Sequence, residues 1–149
     1  MDIKNNFYTL RKVTMDDINL LFEWANNADV RQNSFHNKEI LYEDHVRWFH
    51  NKIKSQTTVM YIYLYNNLPV GQIRFEIEQD KAELNYSISK EYRGQGHGKH
   101  MLALAEMQLI IDKPQIKTIN ARVLPHNHAS KSIFESSGYT HFYEKQLKD

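Results

Sequence analysis

The chain contains no cysteine, and this absence excludes several kinds of chemistry at once. Disulfides, thiolate nucleophiles and zinc sites built on thiolates are all ruled out. A chain without cysteine also suits a reducing compartment. Eight histidines are present, but none are spaced at i and i+4 on a convincing helix face with a carboxylate nearby, so we predict no metal site.

An excess of charge of one sign and long apolar runs are also missing. Nineteen Lys and Arg residues stand against eighteen Asp and Glu residues, and the basic residues are scattered. The sequence therefore lacks the clustered basic residues that bind nucleic acid, so we predict no nucleic acid partner. No run approaches the length of a membrane span, and the polar N-terminus lacks the apolar core of a signal peptide. We therefore expect a cytoplasmic protein with no membrane partner.

The apolar residues that are present suffice for one hydrophobic core. They make up 41% of 149 residues, which leaves no room for two ordinary domains, and we find no internal repeat. We expect a single domain over residues 1–149.

Hydrophobic periodicity predicts alternating blocks of strand and helix. A strand is expected at 8–13, followed by an acidic capping box at 14–17, a helix after it and a second helix at 42–53. Residues 59–65, 70–77 and 82–89 alternate as strands of a meander, with turn signals at 66–67 and 79–81. A further apolar-periodic helix is expected at 101–111.

The few glycines are concentrated in one loop between the strand at 82–89 and the helix at 101–111. The loop reads Arg93-Gly94-Gln95-Gly96-His97-Gly98. Glycines at alternate positions let backbone N–H groups converge on an anion, and the start of a helix adds its positive dipole end. The loop therefore predicts a phosphate site, with a simple tight connection as the alternative. A dinucleotide fold fits less well, because the preceding strand alternates like an antiparallel one.

This loop resembles the pyrophosphate-binding loop of the GNAT N-acetyltransferases, which move an acetyl group from acetyl-CoA to an amine. A second block, 123–127 and then 129–139, resembles the fifth strand, fourth helix and closing Gly-aromatic turn of that superfamily. The resemblance implies an α/β fold with a mixed, mainly antiparallel sheet flanked by helices, in the order β-α-α-β-β-β-α-β-α-β, with splayed strands at the co-substrate site. After Tyr139 only one more strand fits where the family often has two, so the sheet edge is either open or completed by another subunit in a homodimer.

The resemblance also implies where acetyl-CoA binds. Its pantetheine arm pairs with the backbone just before the loop, where an N–H, that of Ile88 or its neighbour, polarises the thioester carbonyl. The loop holds the pyrophosphate, and the second block contacts the co-substrate from the other side. The residues implied are Tyr86, Ser87 and Ile88 on the strand, Arg93, Gly94, Gln95, Gly96, His97, Gly98 and Lys99 in the loop, and Asn127, Ser130 and Lys131 in the second block.

Direct transfer requires a base for the amine proton, and two residues are candidates. Glu83 lies on the strand where relatives often carry a carboxylate, although a bulge there would shift its register by one residue. His126 precedes Asn127 and has a side chain suited to proton transfer near neutral pH. Alternatively, Glu83 is only a surface residue of the strand, and His126 only caps the helix that follows.

The thiolate that departs is commonly protonated in this family by a tyrosine, and Phe134 stands at the matching position. Water, Ser132 or Tyr143 would then supply the proton, or the thiolate would leave as the anion. The missing hydroxyl is also compatible with a protein that binds acyl-CoA but does not catalyse acetyl transfer.

The acceptor is expected to bind in the segment 23–49. The candidate residues are Trp24, Asn26, Arg31, His45 and Trp48, with Arg74 from the meander. Similar strings occur in acetyltransferases of bacterial surface-sugar synthesis, which acetylate the 4-amino group of a nucleotide-linked aminosugar on the way to pseudaminic acid. Tryptophans would stack on the sugar or base and arginines would meet a diphosphate, as in a UDP-linked substrate. The alternatives are tryptophans that only pack the core, and an enzyme that acetylates a protein N-terminus, such as that of a ribosomal protein.

Overall fold

The computed structural model describes residues 8–140 and 144–147, except for the side chains of two residues in the last strand. Six strands form one sheet in the order of the sequence. The strands are β1 Tyr8–Lys12, β2 Thr58–Tyr65, β3 Leu68–Glu78, β4 Lys81–Ile88, β5 Thr118–Asn120 and β6 Glu144–Gln146. The helices are α1 Ile18–Ala25, α2 Ala28–Gln32, α3 Tyr42–Lys54, α4 His97–Asp112 and α5 His128–Ser136, with 3-10 turns at Met15–Asp17 and Lys90–Tyr92.

The sheet is antiparallel at every pairing but one. β1 to β4 form an antiparallel series, β4 and β5 are parallel, and β5 pairs antiparallel with β6. This is the mixed, mainly antiparallel α/β fold that the sequence predicted. The short helix α2 is an addition to the predicted order, in a stretch that the sequence marks only as polar and irregular.

The β2–β3 and β3–β4 turns lie where the sequence predicted them. Asn66 and Asn67 both have positive φ, 52° and 69°, as a two-residue hairpin turn requires, and asparagine tolerates this conformation well. β3 and β4 then pair without a shift in register from Gly71 opposite Ile88 to Glu78 opposite Lys81. The bulge expected near Glu83 is therefore absent, and its position on the strand is fixed.

Alternation along the strands sends side chains to two different helical layers. One face packs against α4 and α5, around buried residues that include Tyr61, Phe75 and Met101. The other face packs against α1 and α3, around Leu21, Phe49 and Ile62 in a smaller cluster. β4 therefore presents every second residue to each layer.

The predicted capping box forms between β1 and α1. The Thr14 side chain accepts from the backbone of Asp16, and the Asp17 carboxylate accepts from the Thr14 N–H at 2.8 Å. Arg11 reaches the same carboxylate with two hydrogen bonds, of 2.8 and 2.9 Å. This Arg11 hydrogen bond lowers the pKa of Asp17, against the opposing effect of burial.

Two predicted boundaries are wrong. α4 begins at His97 rather than near Met101, so the last part of the glycine loop is already helical. β5 ends at Asn120, so residues 123–127 form an irregular connection to α5 rather than a strand. The first turn of α4 carries glycine and polar residues, so apolar periodicity does not mark its start, and the strand at 123–127 is implied by the family resemblance rather than by a periodic pattern.

The feature that positions the site is the separation of β4 from β5. Their parallel pairing covers only Lys81–Glu83 of β4 and Thr118–Asn120 of β5. β4 continues for five more residues to Ile88, while the chain beyond Asn120 turns away. This confirms the predicted splay. None of the helices in the described ranges combines the length and apolar character that a membrane crossing needs.

Candidate functional site

The loop at the end of β4 leads directly into the first turn of α4. Gly94 and Gly96 have φ of 74° and 86°, in the left-handed region, and a Cβ on either would meet no protein atom within 4 Å. Gly96 is the residue that caps α4, and the first N–H groups of a helix have no carbonyl partner inside it. The loop therefore presents unpaired N–H donors and a positive helix end to open space.

Gly98 and His97 differ from the rest of the loop. A Cβ on Gly98 would lie 2.8 Å from Ile133 Cδ1, so this glycine lets α4 and α5 pack closely. His97 is 5% exposed, and its Nδ1 lies 2.9 Å from the hydroxyl of Tyr63. Burial lowers the pKa of His97, and the charge of His100 lowers it further. His97 and Gly98 are therefore buried, whereas Lys99 is exposed.

Arg93 connects the loop to the opposite layer. Its Nε donates to the carbonyl of Ile88 at 2.8 Å, and its two Nη atoms bond Asp29 Oδ2 at 2.9 Å and Asn27 Oδ1 at 3.2 Å. Asn27 also caps α2 by accepting from Asp29 and Val30. Arg93 thus holds α2 beside the end of β4. Next to it, Gln95 donates to the carbonyl of Glu91 at 3.1 Å.

A cleft of about 260 Å³ lies between α1, α2 and the end of β4. Its walls include Glu23 and Trp24 from α1, the end of β4 at Ser87 and Ile88, and Arg93. The cleft therefore joins the glycine loop to the segment predicted to bind the acceptor.

The second block lies on the far side of the splay. Asn127 caps α5, because its Oδ1 accepts the N–H of Ser130 at 3.2 Å. Ser130 Oγ lies 2.9 Å from the hydroxyl of Tyr86 on β4. Lys131 donates to the carbonyl of Pro125 at 2.7 Å. The structure thus brings Asn127 and Ser130 to the part of β4 that lies beyond its pairing with β5, while Lys131 secures the connection before α5.

The two candidate bases lie in different surroundings. Glu83 is the last β4 residue paired with β5, and its Oε2 lies 2.9 Å from Nε of Arg122. His126 is exposed, and its Nε2 lies 3.3 Å from the carbonyl of Gln32. Glu83 is therefore at the vertex of the splay, and His126 is near the end of α2.

Three of the predicted acceptor residues have their polar groups engaged within the protein. Asn26 exchanges two hydrogen bonds of 2.8 Å with the backbone of Ile40. Arg31 donates to the carbonyls of Ala25 at 2.7 Å and His36 at 2.6 Å. His45 is 4% exposed, and its Nε2 lies 2.8 Å from the Ile18 carbonyl. These contacts shape the acceptor segment, and the burial of His45 corrects its placement as an acceptor ligand.

The remaining acceptor candidates lie on or beside the sheet. Trp24 is half-buried, lines the cleft and packs in the smaller core cluster. The Arg74 guanidinium lies 5.0 Å from the ring centre of Trp48, and Arg74 Nε lies 3.0 Å from Glu76 Oε2. Trp24 therefore packs in the core and lines the cleft, whereas Trp48 packs in the core and stacks with Arg74.

Phe134 belongs to the core. It is 2% exposed and packs against Tyr86 and Tyr139, with ring centres 5.7 and 5.1 Å away. Of the alternative proton donors, Ser132 is exposed on α5, and Tyr143 lies outside the described residues. Within 8–140 and 144–147, no three His, Asp or Glu side chains are grouped to hold a metal ion.

The amino-acid sequence of the chain matches a known protein family. Residues 8–140 match the sequence model of the acetyltransferase (GNAT) domain, a range that covers strands β1 to β5 and all five helices. The chain belongs to the GNAT acetyltransferase family. This is the family that the glycine loop and the second block predicted.

Individual relatives of this GNAT chain are distant. An uncharacterised protein of Methanocaldococcus jannaschii is 25% identical over 134 residues, which are 87% of this chain and 27% of that protein. The chain thus spans about a quarter of the length of this curated relative. A solved domain from the same organism has a TM-score of 0.80 and 26% identity, covering 94% of this chain and 98% of its own.

A characterised enzyme has the same fold at lower identity. Spermidine N-acetyltransferase from Vibrio cholerae, solved with CoA and spermine, has a TM-score of 0.80 and 16% identity, covering 91% of this chain and 82% of its own. At that identity the likeness concerns the fold and carries no information about the acceptor.

Three features of the site have no signal in the sequence motifs. They are the Arg122 partner of Glu83, the link from Arg93 to α2, and the hydroxyl pair of Tyr86 and Ser130. Strand alternation does predict that the side chains of Tyr86 and Glu83 project to opposite faces of β4, because the two residues are three positions apart. Only the fold brings Ser130 to the same point.

Proposed function

We propose that the chain transfers acetyl from acetyl-CoA directly to a primary amine of a nucleotide-linked aminosugar. The observation that supports acetyl-CoA as the donor is the splay, in which β4 runs five residues beyond its last pairing with β5. A strand edge of this kind offers backbone N–H and C=O groups to a ligand that contains amides, as pantetheine does.

The residues around the splay fit acetyl-CoA. The N–H groups that open α4, next to Gly94 and Gly96, suit a pyrophosphate, since both glycines leave open space where a side chain would stand. The backbone of Tyr86, Ser87 and Ile88 would bind the pantetheine arm, and an N–H of Ile88 or its neighbour would polarise the thioester carbonyl. Arg93 shapes this site through its bond to the Ile88 carbonyl.

Glu83 is the base that this arrangement favours. It lies at the vertex of the splay and faces the same layer as the cleft residue Ser87, four positions away on β4. Arg122 holds the carboxylate at 2.9 Å, so it is oriented before an amine arrives. His126 stands second, because its ring is exposed and lies against the end of α2.

The proposed acceptor is supported by a strip of polar side chains on the face of the sheet that carries Glu83. Gln72 Nε2 lies 3.2 Å from Ser87 Oγ and 3.4 Å from Asn85 Oδ1. Amide and hydroxyl groups in a row suit the hydroxyls of a sugar. Trp24 at the cleft and Trp48 beneath Arg74 supply aromatic faces nearby. The similarity of segment 23–49 to surface-sugar acetyltransferases adds the 4-amino group of a UDP-linked sugar as the specific acceptor.

Acetylation of a protein N-terminus is the second candidate, and one observation favours it. Glu23 and Glu91 both line the cleft, and two carboxylates would attract the cationic amine of a peptide. Lys90 and Arg93 line the same cleft, so its charge is balanced rather than acidic.

The test is a panel of acceptors assayed by release of the free CoA thiol. UDP-linked 4-aminosugars, N-terminal peptides and polyamines are each offered with acetyl-CoA. We expect turnover with the nucleotide sugar alone, and a fall in kcat of about a hundredfold in E83Q, since general base catalysis is of that order. The exposed Glu78 provides the matched control, E78Q, which should keep the parent rate. Turnover with peptides alone would replace this acceptor with the second candidate.

A further inference from the structure

Tyr86 is a half-buried tyrosine on the stretch of β4 that extends beyond its pairing with β5, and its ring points toward α4 and α5. The ring meets Phe134 edge to face, with centres 5.7 Å apart and planes at 86°. Its Cε2 lies 3.8 Å from where a Cβ on Gly98 would stand. The side chain therefore lies between β4, the first turn of α4 and α5, on the inner side of the splay.

The hydroxyl of Tyr86 is held at the start of α5. Its partner is Ser130 Oγ, 2.9 Å away, and Ser130 is the third residue of that helix. The Asn127 cap fixes this turn through the Ser130 N–H at 3.2 Å. A negative charge formed beside the hydroxyl would face the positive end of α5 as well as an O–H donor.

We propose that Tyr86 donates the proton to the sulfur that leaves when the acetyl group is transferred. The assignment rests on acetyl-CoA lying along β4, as proposed above. As the C–S bond of the thioester breaks, its electron pair passes to sulfur, and Tyr86 Oη gives its proton to that sulfur. Solvent then returns a proton to Tyr86 through Ser130 Oγ, which both accepts and donates.

Several observations favour Tyr86 over other donors. Phe134 has no hydroxyl and is packed in the core, and Ser132 is exposed on α5. Burial raises the pKa of Tyr86, against a smaller opposing effect of the Ser130 hydrogen bond, so the phenol keeps its proton at neutral pH. Glu83 and Tyr86 project to opposite faces of β4, so one proton leaves the amine on one face and another reaches sulfur on the other.

The test uses CoA alone, so it does not depend on knowing the acceptor. CoA labelled with ¹³C at the carbon bonded to sulfur is added to the protein, and the thiol is titrated by the chemical shift of that carbon. A tyrosine that donates to the thiolate stabilises it and lowers the pKa of the bound thiol. Y86F should therefore raise that pKa by about one to two units, the size expected for a hydrogen bond to a charged group.

Tyr139 provides the matched control. Its ring also packs on Phe134, and its hydroxyl is also bonded, to Glu106 at 2.9 Å, but it follows α5 and is not part of β4. Y139F should leave the pKa of the bound thiol unchanged. S130A, which removes the partner of the Tyr86 hydroxyl, should raise it by less than Y86F does.

The outcomes separate this proposal from the one on which it rests. An unchanged pKa of the thiol in Y86F, with CoA still bound, would overturn the role of Tyr86 and leave the donor site intact. A failure of the parent protein to bind CoA would overturn the donor site, and this role with it. With any acceptor found in the panel, Y86F should also lower the single-turnover rate of CoA release about a hundredfold without changing the affinity for acetyl-CoA.

Discussion

Two buried histidines make the stability of the folded protein sensitive to mild acid. His45 and His97 are 4% and 5% exposed, and burial is the main cause that lowers the pKa of each. In the unfolded chain a histidine takes up its proton near pH 6.5, whereas in the folded protein it stays neutral to lower pH. The unfolded state therefore binds more protons in this window, and stability is lost as the pH falls.

We predict that the free energy of unfolding, measured by urea denaturation, decreases between about pH 7 and pH 5. H97Q, which cannot titrate, should show a shallower decrease than the parent. The ionised Asp17 side chain also stabilises the fold, because Arg11 lowers its pKa. This contribution is lost in a separate pH range, below about pH 4. A free energy of unfolding that stays constant from pH 7 to pH 5 would contradict the prediction.

At the residue scale, the sequence identified types of side chain better than their roles. Arginine, asparagine and histidine in the segment 23–49 suit a substrate site by chemistry, yet Arg31, Asn26 and His45 bond the backbone of their own layer. A guanidinium that binds loop carbonyls and one that binds phosphate look identical in sequence. The backbone roles of Gly94 and Gly96 were easier to predict, because left-handed φ selects glycine.

At the scale of elements, the meander of β2, β3 and β4 could be predicted because alternation and turn residues agree. α2 could not, because five residues carry no helical period. Its placement beside β4 depends on Arg93, which lies more than sixty residues later in the chain. The resemblance implies the fifth strand at 123–127, whereas β5 lies at Thr118–Asn120, where three residues suffice for pairing but not for a sequence pattern.

Gly71 on β3 packs tightly against the end of β4, within the proposed donor site. A Cβ there would lie 2.8 Å from both Ile88 Cδ1 and the Ser87 carbonyl oxygen, and 3.2 Å from Met101 Sδ. We predict that G71A lowers the free energy of unfolding by about 1–3 kcal/mol, because the backbone of β4 must shift. The same shift should weaken acetyl-CoA binding, since Ser87 and Ile88 belong to the proposed donor site.

Urea denaturation and acetyl-CoA titration of G71A measure both effects. E78A, on the exposed end of β3, should stay within about 0.5 kcal/mol of the parent. Parent-like stability together with parent-like affinity in G71A would show that β4 tolerates displacement and would contradict this account.

At the scale of the whole molecule, a second cleft competes with the splay as an anion site. It has a volume of about 280 Å³ and includes Lys12, Lys52 and Lys113. It lies by the C-terminal end of α4, whereas the glycine loop lies at its N-terminal end, about 24 Å away along a helix of sixteen residues. Its lysines already contact Asp112 at 3.9 Å, Glu76 at 3.0 Å and the Gln56 carbonyl at 3.0 Å.

The most direct test of the donor site is to map acetyl-CoA onto the chain by the backbone amide chemical shifts of the ¹⁵N-labelled protein. We predict that the largest changes occur at residues 86–88, 94–99 and 127–130, the three segments that surround the splay. Changes confined to Lys12, Lys52, Lys113 and their neighbours would place the donor in the second cleft and contradict the account.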